Sequence, residues 1–269
     1  MPDAGRDLDL ERLRAVARAA ALRGGEIVSA GRTSDAGATS KSLPGDWVTE
    51  VDVASEGAIA SMLAEETPDV PIQGEEAGGV ATGLRWVVDP LDGTTNFIHG
   101  FVAVGVSVAL VDDRRVLIGA THAPFLGEMW HAAADAGAVW ERADGSAVAC
   151  RVSQRPWSEA VVGTGFPFRR KERLDRYLGA MRRVFEGAED LRRPGAACLD
   201  LAWVASGVFD GFFELGLAPW DVAVGALLIA EAGGVVSDWS GGDDWLDGDI
   251  VTGAPQVWER LVAATSAPV

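Results

Sequence analysis

The chain has 269 residues, of which 48% are hydrophobic and 23% charged, an apolar share well above that of disordered chains. Its 23 Lys and Arg stand against 40 Asp and Glu, a net charge of −17, which excludes the broad positive field that nucleic acid or an anionic membrane surface requires. A phosphorylated ligand would need a local answer to its charge, most simply a metal cation.

No stretch approaches the roughly 20 apolar residues of a membrane span, and the start of the chain, with Asp3, Arg6, Asp7, Asp9 and Glu11, has no signal-peptide core. A cytoplasmic location is expected. Cys150 and Cys198 lack metal spacing, so buried reduced thiols are expected.

In chain order, Leu10, Leu13, Ala17, Ala20, Gly24 and Ile27 recur at helical spacing and predict a first long helix. Residues 31–45 carry Ser, Thr, Gly and Asp without an apolar period and read as an exposed loop. A second helix is expected from about Val51 until Pro68 stops it, with Ile59, Met62 and Leu63 inside. Strands are then predicted at Val70 to Ile72, Trp86 to Val88, Phe101 to Val111, Val116 to His122 and within Glu128 to Val152, giving helices on a largely antiparallel sheet. After Pro156 strand and helix alternate: Ala160 to Gly163, a helix over Leu174 to Val184, a helix from Ala197 to about Gly207, then Phe212 to Glu214. A last helix runs from Pro219 to the Gly233-Gly234 cap. Two subdomains are expected, 1–150 and 151–269. The acidic run Asp243 to Asp249 reads as a solvated turn.

The chemistry concentrates in Trp86-Val87-Val88-Asp89-Pro90-Leu91-Asp92-Gly93-Thr94-Thr95-Asn96-Phe97. An apolar strand delivers Asp89, Asp92-Gly93 turns the chain, and Thr94, Thr95 and Asn96 are all N-cap types for a following helix. Carboxylates beside a helix N-terminus make chemical sense when cations lie between them and a phosphate. Taken alone, this stretch is equally a tight turn before a capped helix. A calcium loop is excluded because counting from Asp89 puts Gly100 where a bidentate Glu belongs. Gln73-Gly74-Glu75-Glu76 and Pro219-Trp220-Asp221 add carboxylates that are individually explained by a surface loop and by the helix dipole. As a set, Glu75, Asp89, Asp92 and Asp221 suit hard magnesium.

Asp89-Pro90-Leu91-Asp92-Gly93-Thr94-Thr95-Asn96-Phe97 and Trp220-Asp221 with Glu231-Ala232-Gly233-Gly234 resemble the two signatures of the inositol monophosphatase family. Lys41, Asp46, Val48 to Asp52 and Gly74-Glu75-Glu76 support the match in family order. The resemblance implies an α+β fold layered α/β/α/β/α, of the inositol monophosphatase and fructose-1,6-bisphosphatase type. It also implies a homodimer and magnesium-dependent, lithium-sensitive hydrolysis of a small phosphomonoester, with two to three Mg2+ per subunit. Glu75, Asp89 and the Leu91 carbonyl would hold a first ion, Asp89, Asp92 and Asp221 a second, and Glu75 a third through water. Thr94 and Asp52 would orient the attacking water, and the Gly93 and Thr94 amides would hold phosphate oxygens. Gly195, Ala196, Ala197 and Glu214 would line the substrate together with Asp92 and Asp221, Glu214 accepting a substrate hydroxyl. Ala77, Val102 and Val224 depart from the family pattern without removing a ligand. The Thr95-Asn96-Phe97 run favours inositol 1-phosphate over histidinol phosphate and other sugar or nucleotide phosphates. A partner-binding protein with a vestigial site is the alternative of a different class. Lys41 would steer phosphate or stand exposed, and His99, His122 and His131 are expected to be structural.

Overall fold

A computed structural model describes residues 8–32, 39–40 and 47–268. Helix α1 (Leu10–Ala30) starts where the Asp9 side chain takes the Arg12 N–H at 3.0 Å. Its buried stripe is Leu13, Val16, Ala17, Ala20, Ala21, Gly24, Gly25 and Val28. That is rotated slightly from the predicted one, leaving Leu10 and Ile27 half-buried. The small residues are needed for approach: a Cβ on Gly25 would lie 2.1 Å from the His122 ring.

Strands β1 (Thr39–Ser40) and β2 (Trp47–Val48) pair antiparallel, and Lys41 and Asp46 lie outside the described residues. Helix α2 (Glu50–Glu66) opens on a capping box in which Thr49 and Asp52 satisfy each other's amides. Then follow β3 (Ile72–Gly74), β4 (Gly78–Gly79), β5 (Leu84–Asp92), the short helix α3 (Thr94–Ile98), β6 (Gly105–Asp112), β7 (Arg115–Ala123), β8 (Glu128–Ala133), β9 (Ala138–Glu141) and β10 (Ala147–Ala149). The strands from β3 onward form one sheet in the order β10-β9-β8-β7-β6-β5-β3-β4. Only β3 and β5 run parallel within it, as the expectation of a largely antiparallel sheet requires. The strand predicted at Val70 begins two residues later, and the one predicted from Phe101 begins at Gly105.

The second half holds β11 (Val161–Thr164), α4 (Leu174–Phe185), β12 (Asp190–Arg192), α5 (Ala197–Ala205), β13 (Gly211–Glu214), α6 (Pro219–Glu231), β14 (Val235–Asp238), β15 (Ile250–Gly253) and α7 (Pro255–Ser266). Its sheet is ordered β12-β11-β13-β15-β14, parallel across β12, β11 and β13 and antiparallel beyond. The sequence reading leaves β12, β14, β15 and α7 unassigned.

Packing follows from which faces are apolar. α1 and α2 cover one face of the large sheet, and α5 and α6 fill the space between the sheets. α4 and α7 close the far side of the small one. Helix α6 is buried from Asp221 to Ile229, as a helix covered on both sides must be. The layers are therefore α/β/α/β/α, as expected. In α4 the buried residues are Tyr177, Ala180 and Val184, while Leu174 and Leu178 are exposed. The acidic run is more than a solvated turn: Leu246 is buried within it. Arg114 reaches Asp244 and Asp247, and Asp249 pairs with Arg173 and takes the Gly216 N–H. Both cysteines are buried free thiols. No helix among the described residues is long and apolar enough to cross a membrane.

Candidate active site

A regular strand points residues 89 and 92 to opposite faces, because an odd separation reverses the side chain. β5 avoids this with a bulge. Asp89 stands opposite Ser107 and Asp92 opposite Gly105, so the register shifts between them, with Pro90 at the irregularity, where a missing N–H does no harm. α6, entered from the small sheet, brings up Asp221 in its first turn, where it takes the Ala218 N–H at 2.6 Å. The outcome is that Asp89, Asp92 and Asp221 each offer an oxygen within 4.8 Å of the others.

These carboxylates line a cavity of about 440 Å³ together with Glu75, Leu91, Gly93, Thr94, Gly195, Ala196, Ala197 and Glu214. The predicted substrate and ligand residues are thus brought to one place. Asp52 lies behind the wall. Thr94 Oγ1 is 3.3 Å from both Asp52 Oδ1 and the Leu91 carbonyl, so its single hydroxyl proton has two acceptors. Asp52 Oδ2 accepts from Thr49 N and Thr49 Oγ1, at 2.9 and 2.5 Å. None of His99, His122 and His131 lines the cavity; His131 pairs with Glu141. Arg169, Arg170 and Arg193 line its mouth with Phe166 and Phe168, residues that carried no signal in the sequence.

The N-cap expectation for α3 is overturned. The cap is Gly93, in the left-handed region at φ 88, with no side-chain cap bond. A Cβ there would lie 2.8 Å from the Ala103 carbonyl, so both conformation and space select glycine. Thr94 Oγ1 is turned instead to Asp52 and Leu91, and Asn96 Nδ2 donates to the Ala103 and Pro194 carbonyls.

Burial and mutual repulsion dominate the electrostatics. Burial first, then Glu75, Asp92 and Asp221, hold the Asp89 carboxyl well above the ordinary carboxylate range. Asp92 is pushed up to about 6 by burial, partly offset by the Cys198 N–H, which it accepts at 2.7 Å. Asp221 is pushed up to about 8 by burial, Asp92 and Glu75, and Glu214 to about 8 by burial and Asp221. Asp52 is raised by burial against the pull of Thr49. Asp89 Oδ1 accepts from Leu91 N, whereas Oδ2 is buried without a partner. An acceptor-only cluster of hard oxygens, one of them orphaned, fits Mg2+, which binds through a few carboxylates and otherwise keeps water.

Sequence and structure comparisons agree with this chemistry. The chain matches the Inositol monophosphatase family over residues 9–268. It is 39% identical over 257 residues to Nus factor SuhB of Escherichia coli (strain K12), covering 93% of this chain and 94% of that protein. The crystal structure of extragenic suppressor protein suhB from Bartonella henselae superposes with a TM-score of 0.89 at 32% identity, covering 96% of this chain and 100% of that one. Inositol monophosphatase from Anabaena (Nostoc) superposes with a TM-score of 0.83 at 29% identity, covering 96% of each chain. With a match running through both sheets and every carboxylate of the cavity, the chain belongs to the inositol monophosphatase family.

Proposed function

We propose that the protein is a magnesium-dependent phosphomonoesterase whose favoured substrate is myo-inositol 1-phosphate. The observation that carries this reading is the convergence of Asp89, Asp92 and Asp221 within 4.8 Å on the wall of a cavity that Glu214 also lines. Glu75, Asp89 and the Leu91 carbonyl would hold one Mg2+, and Asp89, Asp92 and Asp221 another. When bound, such ions activate water, neutralise the phosphate and stabilise the leaving oxygen.

The chain's own groups do the rest. Asp52, its other oxygen held by Thr49, accepts the Thr94 proton and leaves the Thr94 oxygen to accept a hydrogen from the attacking water. Gly93 and Thr94 amides take phosphate oxygens, whose developing charge they stabilise without reorganisation. Asp92, fixed by the Cys198 N–H, and Asp221, fixed by the Ala218 N–H, hold their places against mutual repulsion. Glu214, which lines the same cavity as Gly195, Ala196 and Ala197, pairs with a ring hydroxyl, disfavouring substrates that lack it.

A homodimer, a cytoplasmic location, lithium inhibition and subdomains 1–150 and 151–269 belong to the same proposal, resting on the family resemblance and the sequence reading. The test is purified protein assayed on inositol 1-phosphate, histidinol phosphate, fructose 1,6-bisphosphate and adenosine 3′,5′-bisphosphate. The expected result is the highest kcat/KM on inositol 1-phosphate and none in excess EDTA. Full turnover in EDTA would refute the metal assignment, and preference for another phosphate would refute only the substrate. The name Nus factor, carried by relatives 39% identical, favours a second reading in which the protein acts through a macromolecular partner. An Asp89→Asn variant that still complements loss of the gene in cells would support that reading over the phosphatase.

A further inference from the structure

One face of α2 is polar where it should be apolar. Asp52, Ser55, Glu56 and Ile59 recur at spacings of three and four, and all are buried. Ile59 packs in the core below the large sheet. The other three each leave the helix for a different piece of the candidate site. Asp52 reaches Thr94, and Ser55 Oγ donates to the Pro90 carbonyl at 3.0 Å, next to Asp89. Glu56 Oε2 and Oε1 accept the Glu76 and Ala77 N–H groups at 2.8 and 2.7 Å.

The Glu56 carboxylate thus ties down the turn between β3 and β4, the turn that carries Glu75. β3 and β4 meet in only two register pairs, a length that is marginal by itself. The Glu75 amide donates to the Val88 carbonyl at 3.1 Å, which fixes the turn on its β5 side. Glu56 is 5% exposed, and burying a carboxylate costs several kcal/mol unless it is well hydrogen-bonded. The chain also gives up a side chain to make room, since a Cβ on Gly74 would lie 2.5 Å from the Glu56 carboxylate. An apolar residue would serve this site better if packing were the only demand.

Resting on the magnesium reading above, we propose that Glu56 is a positioning residue. Its carboxylate fixes the Glu75 turn relative to Asp89 and Thr94, so that helix α2 acts as one rigid ruler for ligands delivered by separate loops. Partners that orient a metal ligand typically account for about 10- to 100-fold in metal affinity or activity.

The test is Glu56→Gln, which keeps the volume but replaces one acceptor with an NH2 that faces an N–H. Mg2+ is titrated against the melting temperature, and the Mg2+ dependence of p-nitrophenyl phosphate hydrolysis is measured alongside. The expected result is a midpoint for Mg2+ stabilisation raised about tenfold or more, with kcat at saturating Mg2+ reduced less than the affinity. A lower melting temperature with an unchanged Mg2+ midpoint would mean a structural role only and overturn the proposal. Should the variant not fold, amide exchange on the metal-free wild type decides. Slow exchange at Glu76 and Ala77 supports the tether, and fast exchange at both overturns it. A wild type that Mg2+ neither stabilises nor activates would instead overturn the metal reading itself.

Discussion

Asp89→Asn should stabilise the metal-free protein while abolishing its use of magnesium. Asn keeps the acceptor for the Leu91 N–H and exchanges the partnerless Oδ2 for an amide, which has carboxylate acceptors nearby. In EDTA, once Asp89 is ionised, the change removes one charge from a set whose oxygens lie within 4.8 Å. Two unit charges at that distance repel by about 3.5 kcal/mol at an effective dielectric of about 20. At pH 8 Asp221, pushed up to about 8, is only half ionised, and burial and its neighbours delay the ionisation of Asp89 as well, so the realised gain falls to about 1–3 kcal/mol. At about 2–4 °C per kcal/mol the melting temperature should rise by about 2–12 °C. The gain must depend on pH in one direction. A carboxyl raised above its unfolded value contributes fully below that value and loses its contribution as pH rises, so removing Asp89 helps at pH 8 and does nothing near pH 4. Scanning calorimetry in EDTA and in Mg2+ reads all of this. A variant that melts below wild type at pH 8 in EDTA, or that Mg2+ stabilises as it does wild type, would refute the reasoning.

The metal-free wild type should itself lose stability as pH rises. Asp92, Asp221 and Glu214 bind protons up to about 6, 8 and 8 in the folded chain, above their unfolded values. Each therefore costs up to about 1.4 kcal/mol per pH unit between its two values, and a melting temperature in EDTA that climbs from pH 5 to pH 8 would contradict this. Thr94→Ala keeps every carboxylate, so the Mg2+ midpoint should hold while kcat falls by about 10²- to 10⁴-fold; a loss confined to KM would reduce Thr94 to phosphate binding. Above pH 8, where Glu214 is ionised, Glu214→Gln should lower kcat/KM for inositol 1-phosphate by about ten- to a hundredfold, the value of a hydrogen bond to a charged group, and leave p-nitrophenyl phosphate nearly unchanged. Equal loss on both substrates would point to damage at Asp221, and no loss on either would remove Glu214 from substrate recognition.

The carboxylates of the cavity were legible in the sequence because each sits beside a turn signal: Asp89 before Pro90, Asp92 before Gly93, Asp221 after Pro219, Glu75 after Gly74. α1 and α4 were legible as helices because apolar residues recur there at spacings of three and four, although Leu174 and Leu178 of α4 face solvent. The failures have physical causes. Thr94, Thr95 and Asn96 all look like caps, but a left-handed Gly93 ends the strand and frees Thr94 for Asp52. The apolar face of α1 is built from alanine and glycine, which blur the edge of the stripe. α7 buries Val257, Leu261 and Ala264, a helical spacing carried by only three apolar positions in a helix of 12 residues.

What the sequence hides most is the scaffold behind the cavity carboxylates, and its trace is glycine. Gly74 is empty where Glu56 needs room, and a Cβ on Gly165 would lie 2.0 Å from Glu214 Oε2. In both cases a buried carboxylate occupies the volume that a side chain would take, and no local pattern links residues so far apart in the chain. The bulge between Asp89 and Asp92 is equally silent, since its only local sign is a proline that also suits an ordinary turn. The repulsive cluster is tolerable because its members hang from different layers: β5 holds two carboxylates, α6 the third, and α5 lends Asp92 the Cys198 amide. None of them can retreat without disturbing a packed element, so the repulsion remains stored at the site, available to be relieved by a cation.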